Sequence, residues 1–196
     1  KVVAVPLTGF LIGGGFAIAA QKTGRRADLE REIAIERERQ ETLRSYLQQM
    51  TQIILSERLR NSSEGIAERA VASALTFAAL RRLDGSRKGT LVQFLHESQL
   101  IQRGAPTISM ALSDVSGATL SSAHLTGADL GGAILIAVDF EYADLSEANL
   151  NGADLTGANL YEANLTGSDL TAAILDGADL TEAKMEGAMI DEDKTD

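Results

Sequence analysis

GADLTGANLYEANLTGSDL, residues 152–170, places Leu at 155, 160, 165 and 170, with Ala or Ser two positions before each. An α-helix repeats every 3.6 residues and a strand every two, so a period of five belongs to neither. Followed outward, the large apolar position recurs from Val115 to Ile190 through sixteen consecutive pentapeptides without an insertion. If each pentapeptide forms one side of a square, four complete a turn and the chain climbs one strand spacing, ~4.8 Å. Sixteen repeats then stack as about four coils, roughly 19 Å tall. Each side turns one large and one small residue inward, which fills a narrow shaft without voids. Gly and Asn or Asp serve the corners.

The repeats ADLTG, ANLYE, ADLSE and GADLT resemble the pentapeptide-repeat proteins, whose pattern is A(D/N)LXX, over residues 113–190. That resemblance implies a right-handed quadrilateral β-helix. LRSYLQQM and RRLDGSRKGTLVQFLHESQLI, lying behind an apolar segment, look like a membrane-anchored subgroup common in cyanobacteria. The likeness implies a photosynthetic bacterium and no established activity.

The apolar segment is VVAVPLTGFLIGGGFAIAA, residues 2–20, without a charge. As a helix it would span roughly 28 Å, close to a bilayer core. Lys22, Arg25 and Arg26 follow it, which by the positive-inside rule places the rest on the cytoplasmic or stromal side of a plasma or thylakoid membrane. A signal peptide is the alternative, since Ala17-Ile18-Ala19 resembles a cleavage site. Gly9 and Gly13 form a GxxxG on which a second transmembrane helix could pack.

The net charge of −10 divides unevenly: residues 1–106 hold 16 Lys+Arg against 11 Asp+Glu, residues 107–196 hold 2 against 17. A basic half suits anionic headgroups, an acidic half a basic partner or water. With no Cys, disulfides and thiolate chemistry are excluded. The expected organisation is a transmembrane helix (1–21), a juxtamembrane helical stalk (22–61), a small helical unit capping the solenoid (62–106), the all-β repeat segment (107–190) and an acidic tail (191–196).

In the stalk a 4-3 seam selects Leu29, Ile33, Glu36, Gln40, Leu43, Leu47, Met50 and Ile54, for a coiled coil or for packing on the chain's own helices. Ser62 or Ser63 caps a helix from about Ile66 to Arg82 on which Ile66, Ala70, Ala74, Phe77 and Leu80 make one face, and Gly85 ends it. Thr90 caps a second short helix, which covers the first coil. Between them Arg81, Arg82, Arg87 and Lys88 form a basic loop, either touching headgroups or simply solvated.

Period twenty assigns outward residues to walls. The wall centred on Phe140, Leu160 and Leu180 carries Asp139, Glu141, Tyr142, Tyr161, Glu162, Asp179 and Glu182, two tyrosines among five carboxylates. Another carries Ile134 and Ile174 in the Asp/Asn slot. His96 and His124 have no catalytic or metal-binding companions, so no catalytic residue, metal or cofactor is expected. The expected function is a non-enzymatic membrane-tethered scaffold that docks a protein, with no nucleic acid or small-molecule substrate. Two alternatives stand beside it: a DNA mimic acting on an enzyme such as a type II topoisomerase, and a structural subunit of a photosynthetic membrane complex held through the transmembrane helix.

Overall fold

The computed structural model describes residues 10–55, 66–104 and 106–191. Helix α1 (Phe10–Leu55) is followed by α2 (Ile66–Leu80) and α3 (Gly85–Glu97), and then by the repeats. The chain divides into two compact units, Lys1–Gln40 and Glu41–Asp196.

In the first unit, Ala27 to Arg39 is exposed but for a half-exposed Arg39, with Leu29 and Ile33 about half accessible. The 2–20 segment requires a correction: no helix among the described residues is long and apolar enough to cross a membrane. Residues 2–9 lie outside the described residues. Within α1 the uncharged run is Phe10–Gln21, about 18 Å, before Lys22, Arg25 and Arg26 intervene. The single-pass placement, and the cytoplasmic or stromal location inferred from it, do not stand. Of the proposed packing pair, Gly9 is outside the described residues and Gly13 falls in α1.

In the second unit one hydrophobic core runs from Tyr46 and Met50 of α1, through α2 and α3, into the repeats. The C-terminal part of the seam thus packs on the chain's own helices. On α2 the buried face is Ala72, Thr76, Ala79 and Leu80, whereas Ala70 and Ala74 are exposed. Thr76 can be buried because its hydroxyl is satisfied twice, by the Ala72 carbonyl at 2.8 Å and the Tyr46 hydroxyl at 2.9 Å. Burial pushes the Tyr46 phenol up to about 12, against the opposing Thr76 hydrogen bond. Gly85 begins α3 rather than ending α2, and Asp84 is the cap, its carboxylate accepting from the Arg87 N–H at 3.1 Å. Thr90 sits one turn inside, donating to the Ser86 carbonyl.

The repeat segment also corrects the expected architecture. Among the described residues the regular elements are three α-helices, and no extended strand or sheet is formed, so the all-β quadrilateral β-helix does not stand. Twelve isolated parallel bridges instead join residues twenty apart, from Asp114–Ile134 to Asp169–Met189. A five-residue side bridges through one residue and then turns, which is too short for a strand. Four pentapeptides therefore complete each coil. Leu125, Leu145 and Leu165 are fully buried, as are the Ala positions two residues before most centres.

The first coil is closed on its outer side. Gly85 and Gly89 bring the α3 backbone against residues 117–119, and the Thr119 N–H donates to the Gly85 carbonyl at 2.9 Å. Residues 101–103 continue the cover: the Asp129 N–H donates to Ile101 at 2.6 Å, and the Arg103 N–H to Gly127 at 2.7 Å. The Arg103 guanidinium reaches further, donating to the Glu147 carbonyl at 3.0 Å.

One inward slot is imperfect. Ser113 and Ser168 both replace the usual Ala and are fully buried, but Ser168 donates to the Leu165 carbonyl at 2.7 Å while the Ser113 hydroxyl has no partner among the described residues. A buried hydroxyl left unsatisfied costs about 1–3 kcal/mol. Ser113→Ala is expected to stabilise the chain by about 1 kcal/mol and Ser168→Ala to leave it level or lower, measured as shifts in the denaturation midpoint.

Candidate interaction wall

Every coil presents its outward residues through the same local geometry. In most repeats the Asp or Asn before the centre accepts the N–H two residues on, as Asp139 does from Glu141 at 3.2 Å and Asn159 from Tyr161 at 3.1 Å. That fixes the corner, as the sequence implied. A second role was not read from the sequence: Asn149, Asn159 and Asn164 each donate a side-chain amide to the Asp one coil before, at 2.9–3.1 Å. Alternating Asn with Asp down a column keeps carboxylates from stacking on one another.

Two residues after each centre from Val115 to Met185 the backbone is left-handed. Glycine fills most of these corners, where its lack of Cβ removes the strain. The wall centred on Leu120, Phe140, Leu160 and Leu180 has no glycine there; the corners are Ser122, Tyr142, Glu162 and Glu182, with φ of 52–58°. Such a conformation costs a non-glycine residue about 1–2 kcal/mol. The other three walls each keep glycine at two or more of their corners.

That same wall holds the predicted aromatic and acidic group. Tyr142 and Tyr161 meet edge to face, ring centroids 5.8 Å apart at 83°, and Tyr142 is half exposed. The charge of Glu162 beside Tyr142, together with desolvation and Glu141, raises its phenol above the ordinary tyrosine range. Glu162 acts on Tyr161 in the same direction, by hydrogen bond first and charge second. Asp139 and Glu141 are half-buried, while Asp179 and Glu182 are exposed at the last coil. Hydrogen bonds from Thr181 hold Asp179 below the usual carboxylate range. The repeats that carry these seven residues are joined in register by the bridges Asp139–Asn159 and Asn159–Asp179.

The other candidates are placed differently. Ile134 is half-buried and Ile174 is 43% exposed, two coils apart. Two of the four cations of the basic loop are held by the fold. Lys88 is buried and donates to the Asp114 carboxylate at 3.2 Å and the Ser116 carbonyl at 3.0 Å; Arg87 pairs with Asp84. Burial works to raise the Asp114 carboxyl, but the Ser116 hydrogen bonds and Lys88 outweigh it and leave it lowered. Arg81 and Arg82 are exposed. His124 is exposed in the Asp/Asn slot, and burial lowers His96 against the opposing charge of Glu97. Among the described residues no group of three His, Asp or Glu is arranged to hold a metal ion.

The family model for pentapeptide repeats (8 copies) matches residues 113–152 and 148–187. Residues 113–187 are pentapeptide repeats. The pentapeptide-repeat segment is similar to HetL, a protein of that family involved in heterocyst differentiation regulation in the cyanobacterium Nostoc, at 39% identity and a TM-score of 0.42. That match covers 43% of this chain and 39% of HetL. A pentapeptide-repeat protein of the Arabidopsis thaliana thylakoid lumen is 40% identical, TM-score 0.39, over 40% of this chain and 55% of its own. Another from Nostoc is 40% identical, TM-score 0.38, over 38% and 62%. The chain thus spans less than two thirds of each. No curated protein matches it significantly.

Proposed function

We propose that the pentapeptide repeats are a non-enzymatic protein-docking module, and that the contact surface is the wall of Asp139, Glu141, Tyr142, Tyr161, Glu162, Asp179 and Glu182. One observation carries this reading: that wall alone places larger side chains at every left-handed corner, Ser122, Tyr142, Glu162 and Glu182, where the rest of the solenoid prefers glycine. Strain held at adjacent positions on one face is the pattern of a surface kept for recognition rather than for folding.

The chemistry specifies the partner's character. An aromatic pair offers contact area at small conformational cost, and carboxylates around it favour a basic surface. Backbone hydrogen bonds between coils already order the wall, so binding would lose little entropy.

Two variants test it. Tyr161→Ala with Glu141→Ala is expected to remove co-purifying protein while leaving the melting midpoint nearly unchanged. Glu162→Gly is expected to raise stability by about 1 kcal/mol, by relieving the left-handed strain, and to weaken the same co-purification. An unchanged set of co-purifying proteins in both variants would eliminate this wall.

A further inference from the structure

The acidic side chains of the repeats avoid one another from coil to coil. Asp129, Asp139 and Asp144 are each followed twenty residues later by Asn, and the other carboxylates of residues 114–169 by Ile, Tyr, Gly or Met, with a single exception. Glu162 is followed by Glu182. The two stand one coil apart, ~4.8 Å, and their coils are joined there by the Glu162 N–H, which donates to the Thr181 carbonyl at 3.0 Å. Both are exposed, both occupy left-handed corners with φ of 52° and 58°, and among the described residues neither has an ion pair. No Lys or Arg lies on their wall; Lys184, the only one from residue 107 to residue 191, stands in the Asp/Asn slot of the next. Like charges held so close disfavour each other until a cation joins them.

The tyrosines lie against the same pair. Tyr142 precedes Glu162 in its column, and Tyr161 is the neighbour of Glu162 along the coil. Tyr142 meets Tyr161 edge to face and stays 51% exposed. The Tyr161 phenol is raised first by its hydrogen bond to Glu162, then by the Glu162 charge and desolvation, and last by Tyr142 and Glu182. Both carboxylates therefore bear on that hydroxyl.

We propose that this face recognises an arginine side chain of the docked protein, its guanidinium bridging Glu162 and Glu182 with its plane against the Tyr142 ring. The inference rests on the docking role of the wall and names the contact. A guanidinium is planar, carries its N–H donors along its edge and stacks on an aromatic face, so it can join two carboxylates and cover a ring at once. A lysine ammonium is a compact, strongly hydrated charge that cannot do both. A metal ion fits less well, since among the described residues no three His, Asp or Glu are grouped to hold one.

End-blocked Gly-Arg-Gly and Gly-Lys-Gly peptides carry the same charge and separate the two chemistries. Titrated into the isotopically labelled full-length chain, the arginine peptide is expected to shift the amides of residues 142, 161, 162 and 182 and to bind roughly fivefold or more tightly than the lysine peptide. Glu162→Gln and Glu182→Gln are each expected to weaken the arginine peptide about threefold or more and to bring the two peptides level. Asp154→Asn removes one negative charge from another wall and keeps an oxygen for the Thr156 N–H, so it is expected to leave the arginine preference intact. Shifts spread over every acidic wall, or a Glu182→Gln chain indistinguishable from Asp154→Asn, would overturn the proposal. Equal binding of the two peptides to the parent would also overturn it, and would spare the docking wall if Tyr161→Ala with Glu141→Ala still loses its co-purifying protein. An arginine preference with an unchanged co-purifying set does the reverse: it upholds this contact and removes the docking role.

Discussion

Leu155→Asp is expected to abolish cooperative unfolding of the repeat segment. Leu155 is fully buried one coil from Leu135 and Leu175, and the nearest inward residues along the chain are the buried Leu150, Ala153, Ala158 and Leu160. Removing the isobutyl group alone costs about 2–5 kcal/mol. A carboxylate at that position also finds no cation in the shaft, and it must be protonated or draw in water. The combined loss approaches the whole stability of an ordinary domain, about 5–15 kcal/mol. Hydrogen exchange read by mass spectrometry separates the repeats from the helices: amides of residues 134–175 should lose protection while those of α2 keep theirs. Leu155→Met conserves volume and is expected to cost under about 1.5 kcal/mol. Full protection in Leu155→Asp would mean that the five-residue slot does not point inward.

Gly89→Ala is expected to destabilise the chain by about 2–3 kcal/mol, the opposite sign from the usual effect of replacing a helical glycine. A Cβ on Gly89 would lie 2.0 Å from the Thr119 carbonyl oxygen, and one on Gly85 equally close to that of Gly117. Both obstructions are backbone, so α3 has to lift from the coil. Lifting breaks the Thr119–Gly85 hydrogen bond and pulls Lys88 from Asp114 and Ser116. The measurable consequences are a lower denaturation midpoint and faster exchange at residues 113–125. A variant as stable as the parent would show that the helix does not seal the coil.

The repeat was legible because each slot admits one class of side chain, so Leu155 and Ala153 announce their positions whatever surrounds them. The twenty-residue alignment that gathers Tyr142, Tyr161 and Glu162 follows from the same count. What could not be read depends on partners far along the chain. Thr76 looks like a surface residue until Tyr46 supplies its hydrogen bond, and Gly85 looks like a helix end until the coil it must touch is known. Asp84 and Thr90 are both good caps; the cap is Asp84 because the close approach of Gly85 and Gly89 requires helix between them. The apolar run 2–20 reads as a span from its length and its flanking Lys22, Arg25 and Arg26, while α1 continues past Ala20 into charged sequence as one helix. The Ser, Tyr, Glu and Glu corners stood in plain view, but their meaning depended on φ.

The one-in-five spacing also separates durability from recognition. Deleting five residues between the two tyrosines, for instance 146–150, leaves every downstream Leu facing the shaft, yet rotates each downstream face by a quarter turn relative to those above. Tyr161 would then no longer meet Tyr142, although the inward Leu and Ala slots would stay filled. Only changes of twenty residues preserve both. Lineages of this chain can therefore lengthen or shorten by whole turns while keeping their contacts, and a shift of a single side acts like turning one wheel of a combination lock.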